Sequence, residues 1–149
     1  MARGAVVIVE DDQVALIERN TLDRDPFFLF PGGQVEEGES IESASIREAY
    51  EELGVKVELG PLVAVVEFLN RKKKARTQYY YWAEIIEGQF GTGEGAELKS
   101  ALESSKGTYT PLWIPLDELS KLDVRPKELA EALGAKQIGI GKPTLKIKE

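Results

Sequence analysis

The chain has 149 residues, 42% of them apolar, and a formal net charge of -7 with neither cysteine nor histidine. That length suits one domain with a single core, and the missing residue types exclude disulfides, thiolate nucleophiles, zinc–cysteine sites and imidazole bases, leaving carboxylates, tyrosine, lysine or backbone oxygen for any acid–base or metal chemistry. No apolar run approaches the roughly 18 residues of a membrane span, and the N-terminal run is too short for a signal peptide. An acidic surface argues against duplex nucleic acid as a partner, so a soluble, cytoplasmic protein is expected.

In chain order, residues 5–9 and 14–17 are apolar runs separated by Glu10-Asp11-Asp12-Gln13 and read as a hairpin, with Arg19 just beyond. Residues 20–26 form a polar loop. Phe27-Phe28-Leu29-Phe30 reads as strand and core leading into Pro31-Gly32-Gly33. There the glycines let backbone approach a ligand closely and turn a carbonyl toward it, although a plain tight turn explains the same letters. A helix is expected over 41–53: Ser40 is a natural N-cap, Glu42 suits the positive end of the helix dipole, and Gly54 stops the helix. Residues 56–69 are rich in valine and leucine, with Gly60-Pro61 dividing them into two strands. Five of the six residues 71–76 are basic, which fits a solvated hairpin turn or, more sharply, an electrostatic lip that attracts polyphosphate. Residues 77–86 form a strand whose Tyr79, Tyr80, Tyr81 and Trp82 alternate between faces. A glycine-rich loop over 88–95 leads to Glu94 and Glu97, then to helix or loop over 98–106. Residues 109–114 are strand, and Pro115 opens a short helix to Leu119. A last helix over 126–133 closes at Gly134. The segment 134–149 reads as a loosely held tail, with 138–140 or 144–147 as alternative edge strands.

Seven glutamates lie between Glu36 and Glu52 with only Arg47 against them, a net of about -6 in a chain of -7. The acidity is therefore local. At about 100° per residue, Glu48, Glu51 and Glu52 fall on one arc of the helix, while Ile46, Ala49, Tyr50 and Leu53 occupy a nearly opposite arc available for burial. Like charges at these spacings destabilise a helix by a few tenths of a kcal/mol per pair. Arg47 can pair with Glu51 at i,i+4 but cannot neutralise the cluster. The remaining candidate is a hard divalent cation, Mg²⁺ or Mn²⁺, which carboxylate oxygens suit and which is commonly shared with substrate phosphates. A solvated glutamate-rich helix is the plain alternative.

The run Gly33, Glu39, Arg47-Glu48, Glu51-Glu52, Gly54-Val55 resembles the Nudix box, G-x5-E-x7-R-E-U-x-E-E-x-G-U with U a bulky aliphatic. Every charged position and both glycines match, and Ala49 is the one departure, smaller than the usual aliphatic. The resemblance implies an α+β fold, a Nudix-type α/β/α sandwich with a central mixed β-sheet, as a single domain with its core over about 3–133. It implies cleavage of a pyrophosphate in a nucleoside diphosphate linked to another moiety, with Mg²⁺ or Mn²⁺ as cofactor and water as nucleophile. On this resemblance Glu51 and Glu52 bind the metal, the Gly32 carbonyl and Glu97 complete the protein's share, with Glu94 behind Glu97, and Glu48 serves as ligand, general base or both. Arg47 orients the glutamates, Glu39 supports them from just before the helix, and Arg19 and Gly33 face the substrate. A homodimer is common in the family. Two competing functions are a regulatory module that senses a nucleotide without cleaving it, and an interaction protein with an acidic helix; phosphate release and Mg²⁺ binding, respectively, discriminate against them.

Overall fold

A computed structural model describes residues 2–21, 25–69, 72–93, 107–139 and 142–148. Its elements are β1 (Ala2–Val7), β2 (Val9–Glu10), β3 (Gln13–Asn20), β4 (Phe27–Leu29), β5 (Gly32–Gln34), α1 (Ile41–Leu53), β6 (Val55–Leu69), β7 (Ala75–Gly88), β8 (Thr108–Pro115), a 3-10 helix (Leu116–Lys121), β9 (Val124–Arg125), α2 (Lys127–Gly134) and β10 (Leu145–Lys148). They form two sheets. One is mixed, in the order β10-β6-β7-β1-β5, and the other runs β2-β3-β4-β9 with β8 also paired to β3.

The run from Ala5 to Ile8 is continuously apolar because it is buried on both faces, a pattern typical of interior strands. Ala5 and Val7 join the cluster beneath α2 and the 3-10 helix, with Leu16, Phe30, Tyr80, Leu129 and Leu133. Val6 and Ile8 join the cluster beneath α1, with Ile17, Ala49, Leu53 and Val55. Helices thus cover both faces of the sheets, giving the expected α+β sandwich, though with two sheets where one central sheet was expected.

Two differences from expectation have local causes. The first hairpin is confined to β2 and β3, turning at Asp11 and Asp12 with φ of 51° and 59°, the paired positive φ of a tight two-residue loop. Most of the preceding run pairs instead with β5 and β7. Gly60-Pro61 does not divide the chain: β6 is one strand whose register with β7 shifts between Leu59 and Leu62. Proline lacks an N–H for the ladder, and an irregularity is where a strand tolerates it. Residues 145–148 are held as β10, parallel to β6 from Ala64 to Glu67, with Ile147 buried and both lysines outward. Of the two alternative edge strands in the tail, the one over 144–147 is thus the one formed, shifted by one residue. Among the described residues no helix is long and apolar enough to cross a membrane.

Candidate active site

The helix at the centre of the motif has the expected ends. Ser40 is extended, and its hydroxyl accepts from the Ser43 N–H at 3.0 Å. Gly54, at φ 79°, donates its N–H to the Tyr50 carbonyl at 2.9 Å. The buried face differs from the expected one. It comprises Ala44, Ser45, Glu48, Ala49, Glu52 and Leu53, whereas Tyr50 is 63% exposed. Two glutamates, at 7% and 6% exposure, take part in packing against the sheet.

The sheet admits them because it has no side chains there. Gly4 of β1 and Gly33 of β5 are cross-strand partners. A Cβ on Gly4 would lie 2.4 Å from Ser45 Oγ, and one on Gly33 would lie 2.3 Å from Glu48 Cδ. Ser45 and Glu48, one helical turn apart, fill the groove left by this glycine pair. Close approach, rather than an unusual φ, is what requires glycine at both positions.

Burying a carboxylate costs several kcal/mol unless its oxygens are matched. Arg47 matches one oxygen of Glu48 and joins that residue to Glu39 and Glu51. Its Nε and Nη2 grip Glu39 at 2.8 and 3.1 Å, Nη1 donates to Glu48 Oε1 at 2.9 Å and to Glu51 at 3.3 Å, and Nη2 also reaches the Gln34 carbonyl at 3.2 Å. The Glu39 carboxylate accepts a further bond from the Glu36 N–H at 3.0 Å. Glu39 is consequently held below the usual carboxylate range, first by Arg47 and then by that backbone N–H. Arg47 in turn is raised further above its ordinary value, chiefly by Glu39, and stays charged. One guanidinium thus ties the loop before α1 to the acidic edge of the helix. The bidentate geometry is one that lysine cannot reproduce.

Glu52 Oε1 accepts from the buried Gly32 N–H at 3.0 Å. The ladder explains why that N–H is available. Val6 donates to the Pro31 carbonyl and Val35 to the Ala2 carbonyl, so the Gly32–Ala5 pair falls at a non-hydrogen-bonded position of the antiparallel pairing. At such a position both backbone groups of Gly32 point away from β1, off the free edge of the sheet. Glu48 Oε2 is buried and has no hydrogen-bond partner among the described residues. Glu51 is more open, its side chain 42% exposed. Among the described residues no three acidic side chains stand close enough to hold a metal ion by themselves. What the groove offers is two buried carboxylates and a backbone turn, all hard oxygen donors. This fits Mg²⁺, which is usually bound through one or two carboxylates together with substrate phosphates.

Of the other expected site residues, Arg19 ends β3 between Phe27 and Tyr109. Its guanidinium donates to the Tyr109 hydroxyl and lies 4.1 Å over that ring. Glu94 and Glu97 lie outside the described residues. Lys72 to Lys74 form the exposed hairpin turn between β6 and β7. Sequence reasoning missed Gly4, Ser45 and Gln34 as parts of the site, and a contact on the outer side of α1, where the Tyr81 hydroxyl donates to Glu42 at 3.0 Å. Burial, then Glu42, pushes the Tyr81 phenol up to about 12. A lone glycine beginning a β-branched run was the one available sign of Gly4.

A mixed-sheet sandwich carrying an arginine-clamped acidic helix against a glycine-lined strand edge is the architecture the box motif implied. The NUDIX domain family model matches residues 1–133, so the chain belongs to the Nudix family and is a Nudix hydrolase. It is 32% identical over 115 residues to a Bacillus subtilis (strain 168) protein provisionally named as an 8-oxo-dGTP diphosphatase, covering 76% of this chain and 72% of the relative. It is 37% identical over 80 residues to diphosphoinositol polyphosphate phosphohydrolase 2 of Homo sapiens, covering 52% of this chain and only 42% of that longer protein. Among solved structures, the crystal structure of a MutT NUDIX hydrolase from Burkholderia pseudomallei superposes with a TM-score of 0.66 at 25% identity, covering 87% of this chain and 93% of that one.

Proposed function

We propose that this hydrolase cleaves a phosphoanhydride bond in a nucleoside diphosphate linked to another moiety, using Mg²⁺ or Mn²⁺, in the cytoplasm. The observation that carries the reading is the pairing of Glu52 on the Gly32 N–H with a buried, unpartnered Glu48 Oε2 against Gly33. An isolated carboxylate oxygen is costly to keep out of water, and a cation or a transferred proton would relieve it. The named substrates of the two relatives differ, and what they share is a phosphoanhydride; the relative matched over most of this chain favours the nucleotide.

In this reading Glu48, Glu51, Glu52 and the Gly32 carbonyl hold the cation, with Glu97 as a further ligand. When bound, the cation supplies charge neutralisation at the phosphates. Glu48 Oε2 has the lone pairs that either a ligand or a proton acceptor needs. Water adds its oxygen to phosphorus, the bridging P–O bond breaks, and the water proton passes to a carboxylate while the leaving phosphate carries away the electron pair. Arg47 holds Glu48 and Glu51 in orientation, Glu39 fixes Arg47, and Arg19 and Gly33 face the substrate.

Glu52→Gln keeps the shape and an oxygen for the Gly32 N–H while removing the charge. We expect Mg²⁺-dependent turnover of a nucleoside diphosphate panel, read as phosphate released after phosphatase treatment, to fall about 100-fold or more with the fold retained. Equal turnover in that variant would remove the assignment, and no phosphate release by the wild type from any of the panel would remove the hydrolase reading of the site.

A further inference from the structure

The face of β5 turned away from α1 carries a different chemistry. Strand alternation places Arg76, Gln78 and Tyr80 of β7 on that face, next to Arg3 of β1, which pairs with Gln78 on one side and Gln34 on the other. A cavity of about 580 Å³ opens there, with Arg3, Arg125 and Lys127 among its walls and Asp123 as the one carboxylate. A second cavity of about 170 Å³ shares Arg3 and Gln78 with it and adds Arg76. Among the described residues, four cations against one acid therefore line this double groove, in a chain whose net charge is -7.

Little among the described residues neutralises them. Asp123 is engaged by Arg125 at 3.0 and 3.3 Å. Lys127 meets Glu131 only at 3.9 Å, with both side chains largely in water, a pair worth little. Arg3 makes one long bond, 3.5 Å, to the Phe30 carbonyl, and Arg76 has no carboxylate partner among the described residues. Like charges gathered in a concave, partly apolar groove repel one another and focus a positive potential. A pocket for a neutral ring would need a few placed polar groups, not four donors that cannot accept. The groove also meets the candidate active site at one strand: Gln34 flanks Arg3 on this face, while its carbonyl binds Arg47.

We propose that this groove binds the part of the substrate remote from the cleaved bond, and that the substrate carries at least one phosphate beyond the two joined by that bond. The inference rests on the reading of the α1 site as the place of cleavage. Guanidinium groups match phosphate oxygens two at a time, and Arg3 and Arg76 would give such a substrate its main contacts.

Calorimetric titration of the whole protein with inorganic tripolyphosphate, in chelator and without divalent metal, reads the groove apart from hydrolysis. We expect saturable binding that weakens about tenfold or more in Arg3→Gln/Arg76→Gln, and that weakens with rising salt. The pair Arg76→Glu/Lys127→Glu, both at exposed positions, repeats the test without disturbing a buried side chain. Competition by inositol hexakisphosphate distinguishes phosphates borne on a ring from phosphates in a chain, and either competitor supports the proposal. In turnover assays the variants should lower kcat/KM for a dinucleoside polyphosphate about tenfold more than for ADP-ribose. Absence of binding by both polyanions, or equal affinity in wild type and both variants, overturns the inference while leaving the hydrolase reading intact. Polyanion binding that the variants weaken, without hydrolysis of any substrate, fails the hydrolase reading instead, and with it the assignment of the bound group to a substrate.

Discussion

The two faces of β5 solve opposite electrostatic problems. Toward α1, side chains have been removed at Gly4 and Gly33, the Glu48 carboxylate is buried in the space, and a single arginine joins it to Glu39 and Glu51. Away from α1, long basic side chains line open cavities and carboxylates are scarce. The acidic face is closed and matched everywhere but at Glu48 Oε2, so its stability depends on fit. The basic face is open, and its meaning depends on what fills it. A strand three residues long separates them, so a molecule reaching both would bridge a site for a cation and a site for anions.

The sharpest way to break the acidic face is to add one carbon. Gly33→Ala places a Cβ 2.3 Å from Glu48 Cδ, and we expect about 1–3 kcal/mol of lost stability with turnover down about 100-fold, read by urea unfolding and phosphate release. Gly60→Ala is the control: its Cβ would meet nothing nearer than 3.5 Å, and the expected change is within about 0.5 kcal/mol.

Removing the clamp comes next. Arg47→Ala leaves Glu48 buried without its partner, a change worth about 3 kcal/mol at the lower end for broken buried pairs, because Arg47 itself is a quarter exposed. Arg47→Lys should recover only part of that loss, since lysine cannot make the paired bonds to Glu39.

These effects show where the sequence was legible. Both ends of α1 could be placed because caps are local: Ser40 and Gly54 act within three or four residues. The Arg47–Glu51 contact was also readable from i,i+4 spacing. The grip of Arg47 on Glu39 was not, because it spans eight residues and a loop. Nor was the buried face of the helix. A helical wheel orders residues by angle, but the decision to bury Glu48 and expose Tyr50 is made by a glycine pair from β1 and β5, which only the folded sheet brings together. Edge strand β10 was legible as one of two alternatives, but its partner, about eighty residues away, was not. The cations of the basic groove come from β1, β7, β9 and α2, and no local pattern unites them.

Acid should weaken the clamp in a defined direction. Glu39 lies below its usual value of 4.5 in the folded chain, so the stability it contributes is fully present above about 4.5 and is lost as pH falls through the lower folded-state value. Urea midpoints between pH 7 and 3 should therefore drop more steeply for wild type than for Glu39→Gln, and parallel curves would contradict the pairing. The smallest expected effect is at Tyr81. Its phenol, raised to about 12 from the usual 10, favours the folded state below pH 10 and loses that contribution as pH rises from 10 toward 12. Ultraviolet titration of Tyr81→Phe should lack one late-ionising tyrosine.

The central claim is that Glu48 and Glu52, set against Gly32 and Gly33, hold a divalent cation. Mn²⁺ binding followed by electron paramagnetic resonance, compared between wild type and Glu52→Gln, tests it without any substrate. The account predicts a site in the wild type whose affinity falls about 10- to 100-fold in the variant; equal Mn²⁺ affinity in the two proteins would contradict it.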